Sequence, residues 1–163
     1  MVNVFEVPVR IYFQDTDAGG VVFHATYLHF MERARTEWLR ARGFDAKELA
    51  RRFQLLFIVR GLEIAYVAPA RLDDMVMVSV SLLKIGRAQV TFAQNVRRGD
   101  EVLVRSVVNI ASVTTDGLRP TAFPEEVRIA LAAEAGNLSD EGLQGAATPP
   151  VSRLRLREKI RQS

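Results

Sequence analysis

Apolar and polar positions alternate over residues 4–13, with Phe5, Val7, Val9, Ile11 and Phe13 on one face and Glu6 and Arg10 on the other. That period of two predicts a half-buried strand, and Pro8, which has no amide to donate, puts it at an edge or a bulge. Further on the period lengthens. Tyr27, Phe30, Met31, Ala34, Trp38 and Ala41 recur at three- and four-residue steps, with Glu32, Arg33, Glu37 and Arg40 mostly outside the stripe. This predicts an amphipathic helix with Thr26 as N-cap, Gly43 as C-terminal stop, and Arg40 and Arg42 favourably placed in its last turn. About 17 helical residues span roughly 25 Å, enough to cross the face of a sheet.

Residues 44–54 have mixed polarity and read as a loop or short helix. From Leu55 the pattern returns to strands: 55–67, ended by Ala68-Pro69; 75–84; 88–96, after a connection at Gly86-Arg87; and 101–114, closed by Asp116-Gly117 and Pro120. Arg98-Gly99-Asp100-Glu101 resembles a tight hairpin, since glycine accepts the positive φ of primed turns. One strand, one helix and four strands in a meander predict an α+β domain, an antiparallel sheet wrapped on a single long helix. Pro124-Glu125-Glu126 opens a short helix to about Ala135. The domain is expected to occupy residues 1–135, and 136–163, beginning GNLSDEGLQG, to form a flexible linker and tail.

Composition changes this picture little. With 163 residues, 48% hydrophobic and 25% charged, the chain is ordinary material for one globular domain. No apolar run approaches about 18 residues and the start is no signal peptide, so a cytoplasmic protein without a transmembrane segment is expected. Charge is more informative. Residues 151–163 hold five basic side chains against Glu158, a net +4; since the whole chain carries +3, residues 1–150 carry −1. The basic pI therefore reports the tail and does not argue for a nucleic-acid surface. Without cysteine there is no thiol nucleophile or zinc–thiolate site, and two histidines, His24 and His29, without a metal-ligand cluster make a metal site a poor reading.

Chemistry is left to the stretch before the helix. Asp15 and Asp17 flank Thr16, and Gly19 and Gly20 follow. A carboxylate can act as a base or attack an electrophilic carbon, and a helix N-terminus offers unpaired amides to the oxyanion that develops. Acyl transfer or hydrolysis at an activated carbonyl is coherent with this set. A turn whose aspartates cap local amides is the plainer alternative, and His24 serves equally as a structural hydrogen-bond partner. His29 is given no role, and Tyr27, Phe30, Met31 and Trp38 read as core.

The run DTDAGGVVFHATYLHFMERARTEWL, followed by EIAYVAPARLDDMVMV, Gly86-Arg87 and Arg119-Pro120, resembles the hotdog-fold acyl-CoA thioesterases, specifically the tol-pal-associated, 4-hydroxybenzoyl-CoA thioesterase-like family. The resemblance covers roughly residues 5–130. It implies a five-stranded antiparallel sheet around one long helix, and hydrolysis of an acyl-CoA to free acid and CoA without a cofactor or metal. By that resemblance Asp17 is the catalytic carboxylate, attacking the carbonyl or activating water, and Asp15 supports the loop. The amide at His24 polarises the thioester oxygen, Gly20, Phe23 and Tyr27 lie against the substrate, and Arg87, with Lys84 as the neighbouring alternative, meets the nucleotide phosphates. Where the family often has His-Ala-Asn-Tyr, this chain has His24-Ala25-Thr26-Tyr27, so an amide-specific contact of Asn is lost. The resemblance also implies a homodimer or homotetramer with composite sites. Two alternatives stand beside it. A hotdog hydratase resembles Asp-x-Asn-Pro-x-His with its pair five apart, whereas Asp17 and His24 are seven apart; a non-enzymatic module would bind acyl thioesters or recruit acyl carrier protein through the basic tail.

Overall fold

The computed structural model describes residues 4–133. The linker and basic tail lie outside the described residues, as does the end proposed for the last helix. Five strands, β1 (Phe5–Arg10), β2 (Leu55–Tyr66), β3 (Met75–Ile85), β4 (Gln89–Arg98) and β5 (Glu101–Thr114), form one antiparallel sheet in the order β1-β3-β4-β5-β2. Three helices, α1 (Thr26–Arg40), α2 (Ala46–Phe53) and α3 (Glu125–Ala132), complete the fold. The α+β architecture with one long helix is the expected one, and Pro8 does lie in an edge strand, opposite Met77.

The strand order corrects the meander. Only β3, β4 and β5 follow one another as neighbours; β2 passes over to the far side of β5, pairing from Leu55↔Thr114 to Tyr66↔Val104. A second correction concerns Phe13, which is 81% exposed in a 3-10 turn (Phe13–Asp15) and does not continue the inward row of β1. The alternation ends at Ile11, whose amide donates to the Asp74 carbonyl.

Helix α1 buries Tyr27, Phe30, Met31, Ala34 and Trp38, as its stripe requires, whereas Ala41 lies past its last turn and is exposed. They meet inward rows of period two: Val76, Val78, Val80 and Leu82 of β3, and Val90, Phe92, Gln94 and Val96 of β4. Trp38 packs edge-on to Phe92 at 5.0 Å. Gln94 is the polar member of that row. Its side chain donates to the carbonyls of Met31 (3.1 Å) and Ser79 (3.3 Å) and accepts from Arg35 (2.7 Å), joining helix to sheet at mid-core. The start of α1 differs from expectation: Ala25 is the N-cap, no side chain caps the helix, and Thr26 is its first residue. Gly43, at φ +88°, ends the chain's helical path as anticipated, and Gly99, at φ +55°, makes the β4–β5 hairpin.

Candidate active site

The glycine-rich segment closes on itself before α1. The Asp17 amide donates to the Val21 carbonyl (2.9 Å), and the Gly20 amide, at φ +75°, donates to the Asp17 carbonyl (3.0 Å). Bridges from Thr16 to Val22 and from Val21 to Arg71, with Val22 N–H on the Ala70 carbonyl at 2.9 Å, dock this turn against residues 70–71. The turn presents two carboxylates in different circumstances. Asp15 Oδ2 accepts the Tyr12 amide (2.9 Å), and the Asp15 carbonyl accepts the Phe23 amide (2.9 Å), so Asp15 is occupied in holding the loop. Asp17 is exposed; its Oδ1 accepts the Gly19 amide at 2.7 Å, and Oδ2 makes no hydrogen bond among the described residues. A charge-assisted bond of that kind orients a carboxylate while leaving one oxygen for chemistry.

Beyond the turn, the carbonyls of Phe23, His24 and Ala25 each find a donor, whereas the amides of His24, Ala25 and Tyr27 find no acceptor among the described residues. The Phe23 carbonyl accepts Thr26 N–H (2.9 Å), the Ala25 carbonyl accepts Leu28 N–H (3.1 Å), and the His24 carbonyl accepts the Tyr66 hydroxyl (2.8 Å). Among the described residues the amides of His24 and Ala25 donate to nothing. They stand at the positive end of α1, where negative charge is stabilised. The His24 ring is exposed and touches Phe23 (4.4 Å between centroids) and Tyr66 (6.4 Å). Phe23 is 45% exposed and available to a ligand. Tyr27 is 2% exposed; its hydroxyl accepts the Ala70 amide at 3.0 Å, so in the single chain it braces the wall behind the site. Burial pushes the Tyr27 phenol above its ordinary pKa, outweighing that hydrogen bond. The same wall is fastened to the β4–β5 hairpin by Asp74, which accepts Arg71 N–H (2.8 Å) and Arg98 Nη1 (2.6 Å). Burial raises the Asp74 carboxyl, but these two donors outweigh it and bring the pKa below its usual value.

Arg87 belongs to another place. It lines an open groove of about 730 Å³ with Arg60, Lys84, Gln89, Thr91 and Asn109, three cations with no carboxylate among the lining residues. Bulges help build it: the β2–β5 register shifts between Val59 and Gly61, leaving Arg60 as the extra residue, and the β3–β4 register shifts between Leu82 and Lys84. The sequence reading anticipated Arg87 and Lys84 and missed Arg60, whose alignment with the groove depends on the bulge. Also missed was Tyr66, whose only sequence signal is a polar-tipped aromatic at a strand end. Arg87 follows the end of β3, and Asp17 docks beside residues 70–71, ahead of its start. The eleven residues of β3 lie between them, a rise of about 30 Å along the strand. One copy therefore does not bring the two together.

The family model of the Thioesterase superfamily matches residues 19–105, starting just after Asp17. The chain is 45% identical over 128 residues to an acyl-CoA thioesterase, YbgC, of Haemophilus influenzae, covering 78% of this chain and 94% of that one. It is 38% identical over 126 residues to the acyl-CoA thioester hydrolase YbgC of Escherichia coli, covering 77% and 93%. Among solved structures, a protein from Bartonella henselae described as a probable thioesterase superposes with a TM-score of 0.72 at 34% identity, over 75% of this chain and 100% of that one.

Proposed function

Because the chain belongs to the thioesterase superfamily, we propose that Asp17 is the catalytic carboxylate of a hotdog-fold acyl-CoA thioesterase. The supporting observation is the exposed, Gly19-held carboxylate whose Oδ2 has no partner among the described residues, in the segment that leads to the unpaired amides of His24 and Ala25 at the start of α1. The thioester oxygen sits on the amides of His24 and Ala25, which take up the negative charge as the carbonyl becomes tetrahedral. Asp17 either adds to that carbon, giving an acyl-aspartyl anhydride that water then opens, or removes a proton from the attacking water. By both routes the acyl carbon–sulfur bond breaks, water oxygen ends in the acid and the sulfur leaves as CoA thiolate, to be protonated.

The basic groove of Arg60, Lys84 and Arg87 suits the phosphates of CoA. With the length of β3, about 30 Å, between it and Asp17 in one chain, the reading requires a second copy to bring its own groove to this Asp17. The edge strand β2 is the place for that copy. Val59, Leu62 and Tyr66 pair with the buried Ile110, Val108 and Val104 and share their helix-facing side, yet are 51%, 37% and 48% exposed. Helix α1 does not cover β2; a homodimer paired along it does. No helix among the described residues is long and apolar enough to cross a membrane.

Asp17→Asn, nearly isosteric, abolishes release of free CoA thiol from acyl-CoA while leaving the thermal unfolding midpoint and CoA binding in place. Asp15→Asn lowers the rate much less and the midpoint more, because its carboxylate holds the Tyr12 amide. Undiminished hydrolysis by Asp17→Asn would refute the assignment.

A further inference from the structure

The His24 carbonyl is the least secured acceptor at the start of α1. In a regular helix it would receive the amide four residues on, but Leu28 N–H turns to Ala25 instead (3.1 Å). What it receives is the Tyr66 hydroxyl, at 2.8 Å. We propose that Tyr66 is a positioning residue for thioester polarisation: its hydroxyl fixes the peptide between His24 and Ala25 so that its own Ala25 N–H and the preceding His24 N–H stay aimed at the carbonyl oxygen. This rests on the reading of Asp17 and the helix-start amides given above.

The residue is built for such a task. It is the last residue of β2, paired with Val104, and its ring lies against Tyr27 (5.8 Å) and His24 (6.4 Å). Tyr27 is itself fixed to Ala70. The hydroxyl is thus aimed by a strand end and a buried aromatic, not by a mobile loop. Two effects follow from one bond. Ala25 N–H and His24 C=O belong to the same peptide group, so a donor on the carbonyl polarises the group and makes that N–H a stronger donor. The bond also resists rotation of a peptide that no helical hydrogen bond restrains at its carbonyl, and reversal of that peptide would turn the Ala25 amide away. Burial holds the Tyr66 phenol above its ordinary pKa, which keeps it a donor through neutral and mildly alkaline solution.

The test compares the wild-type chain with Tyr66→Phe, with Asp17→Asn and with 3,5-difluorotyrosine placed at position 66, following free-thiol release from acyl-CoA across pH. Loss of one donor from an oxyanion site costs roughly 10²–10³ in kcat, and loss of its positioning is expected to cost less. Tyr66→Phe should therefore lower kcat about tenfold, with KM and the unfolding midpoint close to wild type. The fluorinated ring has the same shape and a more acidic phenol. It should work at wild-type rate where protonated and fall toward the Tyr66→Phe rate as it ionises, an alkaline limb that a merely structural tyrosine would not create. Wild-type kcat in Tyr66→Phe, a loss confined to KM, or a fluorotyrosine profile parallel to wild type overturns the inference; should Tyr66→Phe not fold, the fluorotyrosine profile decides. If Asp17→Asn is dead and Tyr66→Phe is not impaired, only this inference falls, whereas a wild type that releases no thiol removes the thioesterase reading and this inference with it.

Discussion

At the scale of residues, the position of one carboxylate rests on a neighbour that has no side chain. Asp17 Oδ1 takes the Gly19 amide at 2.7 Å, and a methyl group on Gly19 would lie 3.0 Å from that same oxygen. The carboxylate would have to give by a few tenths of an ångström. Gly19 is exposed and is not among the glycines at positive φ, so the change puts little strain on the fold. Gly19→Ala is thus expected to reduce kcat about tenfold, a displacement effect on a reacting group, without lowering the thermal midpoint measured by circular dichroism; equal kcat would mean the carboxylate works in another orientation. The pair Asp15 and Asp17 was legible as a pair, and the plainer reading of it holds for both, since Asp15 caps the Tyr12 amide and Asp17 the Gly19 amide; Asp17 differs in keeping its second oxygen exposed. What sequence could not supply was the role of Thr26. It occupies the first helical turn and not the cap, because Ala25 already has helical torsions, φ −76° and ψ −19°, and His24 is restrained by a tyrosine 42 residues away.

At the scale of elements, periodicity explains why the helix stripe and the strands were readable, and its silence about pairing explains the meander error. Alternation tells which face of a strand is apolar; it carries no information on which neighbour lies alongside, and β2 joins β5 across the intervening residues 67–100 instead of its successor β3. A polar residue in an inward row was hidden for the same reason. Gln94 reads as one more residue of a strand, yet it links Met31, Ser79 and Arg35, and burial pulls the Arg35 guanidinium below its ordinary pKa, with Glu32 only partly opposing it. Gln94→Leu fills similar space but leaves that partly buried cation without its Gln94 acceptor. It is expected to cost about 2–3 kcal/mol, read as a lower urea midpoint at unchanged slope. Ser112→Ala is the matching control: its buried hydroxyl has no hydrogen-bond partner among the described residues, so its removal should cost nothing. A Gln94→Leu variant as stable as wild type would show that the seam is dispensable.

At the scale of the whole molecule, the separation of Asp17 from the basic groove becomes the decisive geometric fact. Pairing two copies along β2 about a two-fold axis runs the strands antiparallel, which sets the Leu55 half of one β2, with Arg60 at its bulge, beside the Tyr66 half of the other. In the proposed dimer each site would take its carboxylate and helix amides from one chain and its phosphate contacts from the partner. That arrangement is open to complementation. Asp17→Asn chains lack the reacting group, and Arg60→Glu/Arg87→Glu chains lack the cationic groove, so each homodimer is impaired at subsaturating acyl-CoA. In a heterodimer one site combines the intact Asp17 of the second chain with the intact groove of the first, and the other site collects both defects. Subunits exchanged at equal concentration give half heterodimers, each with one working site of two, so roughly a quarter of wild-type thiol release should return. A mixture no more active than its separate components, although sedimentation shows mixed dimers, would place carboxylate and groove in the service of different ligands and undo the composite site.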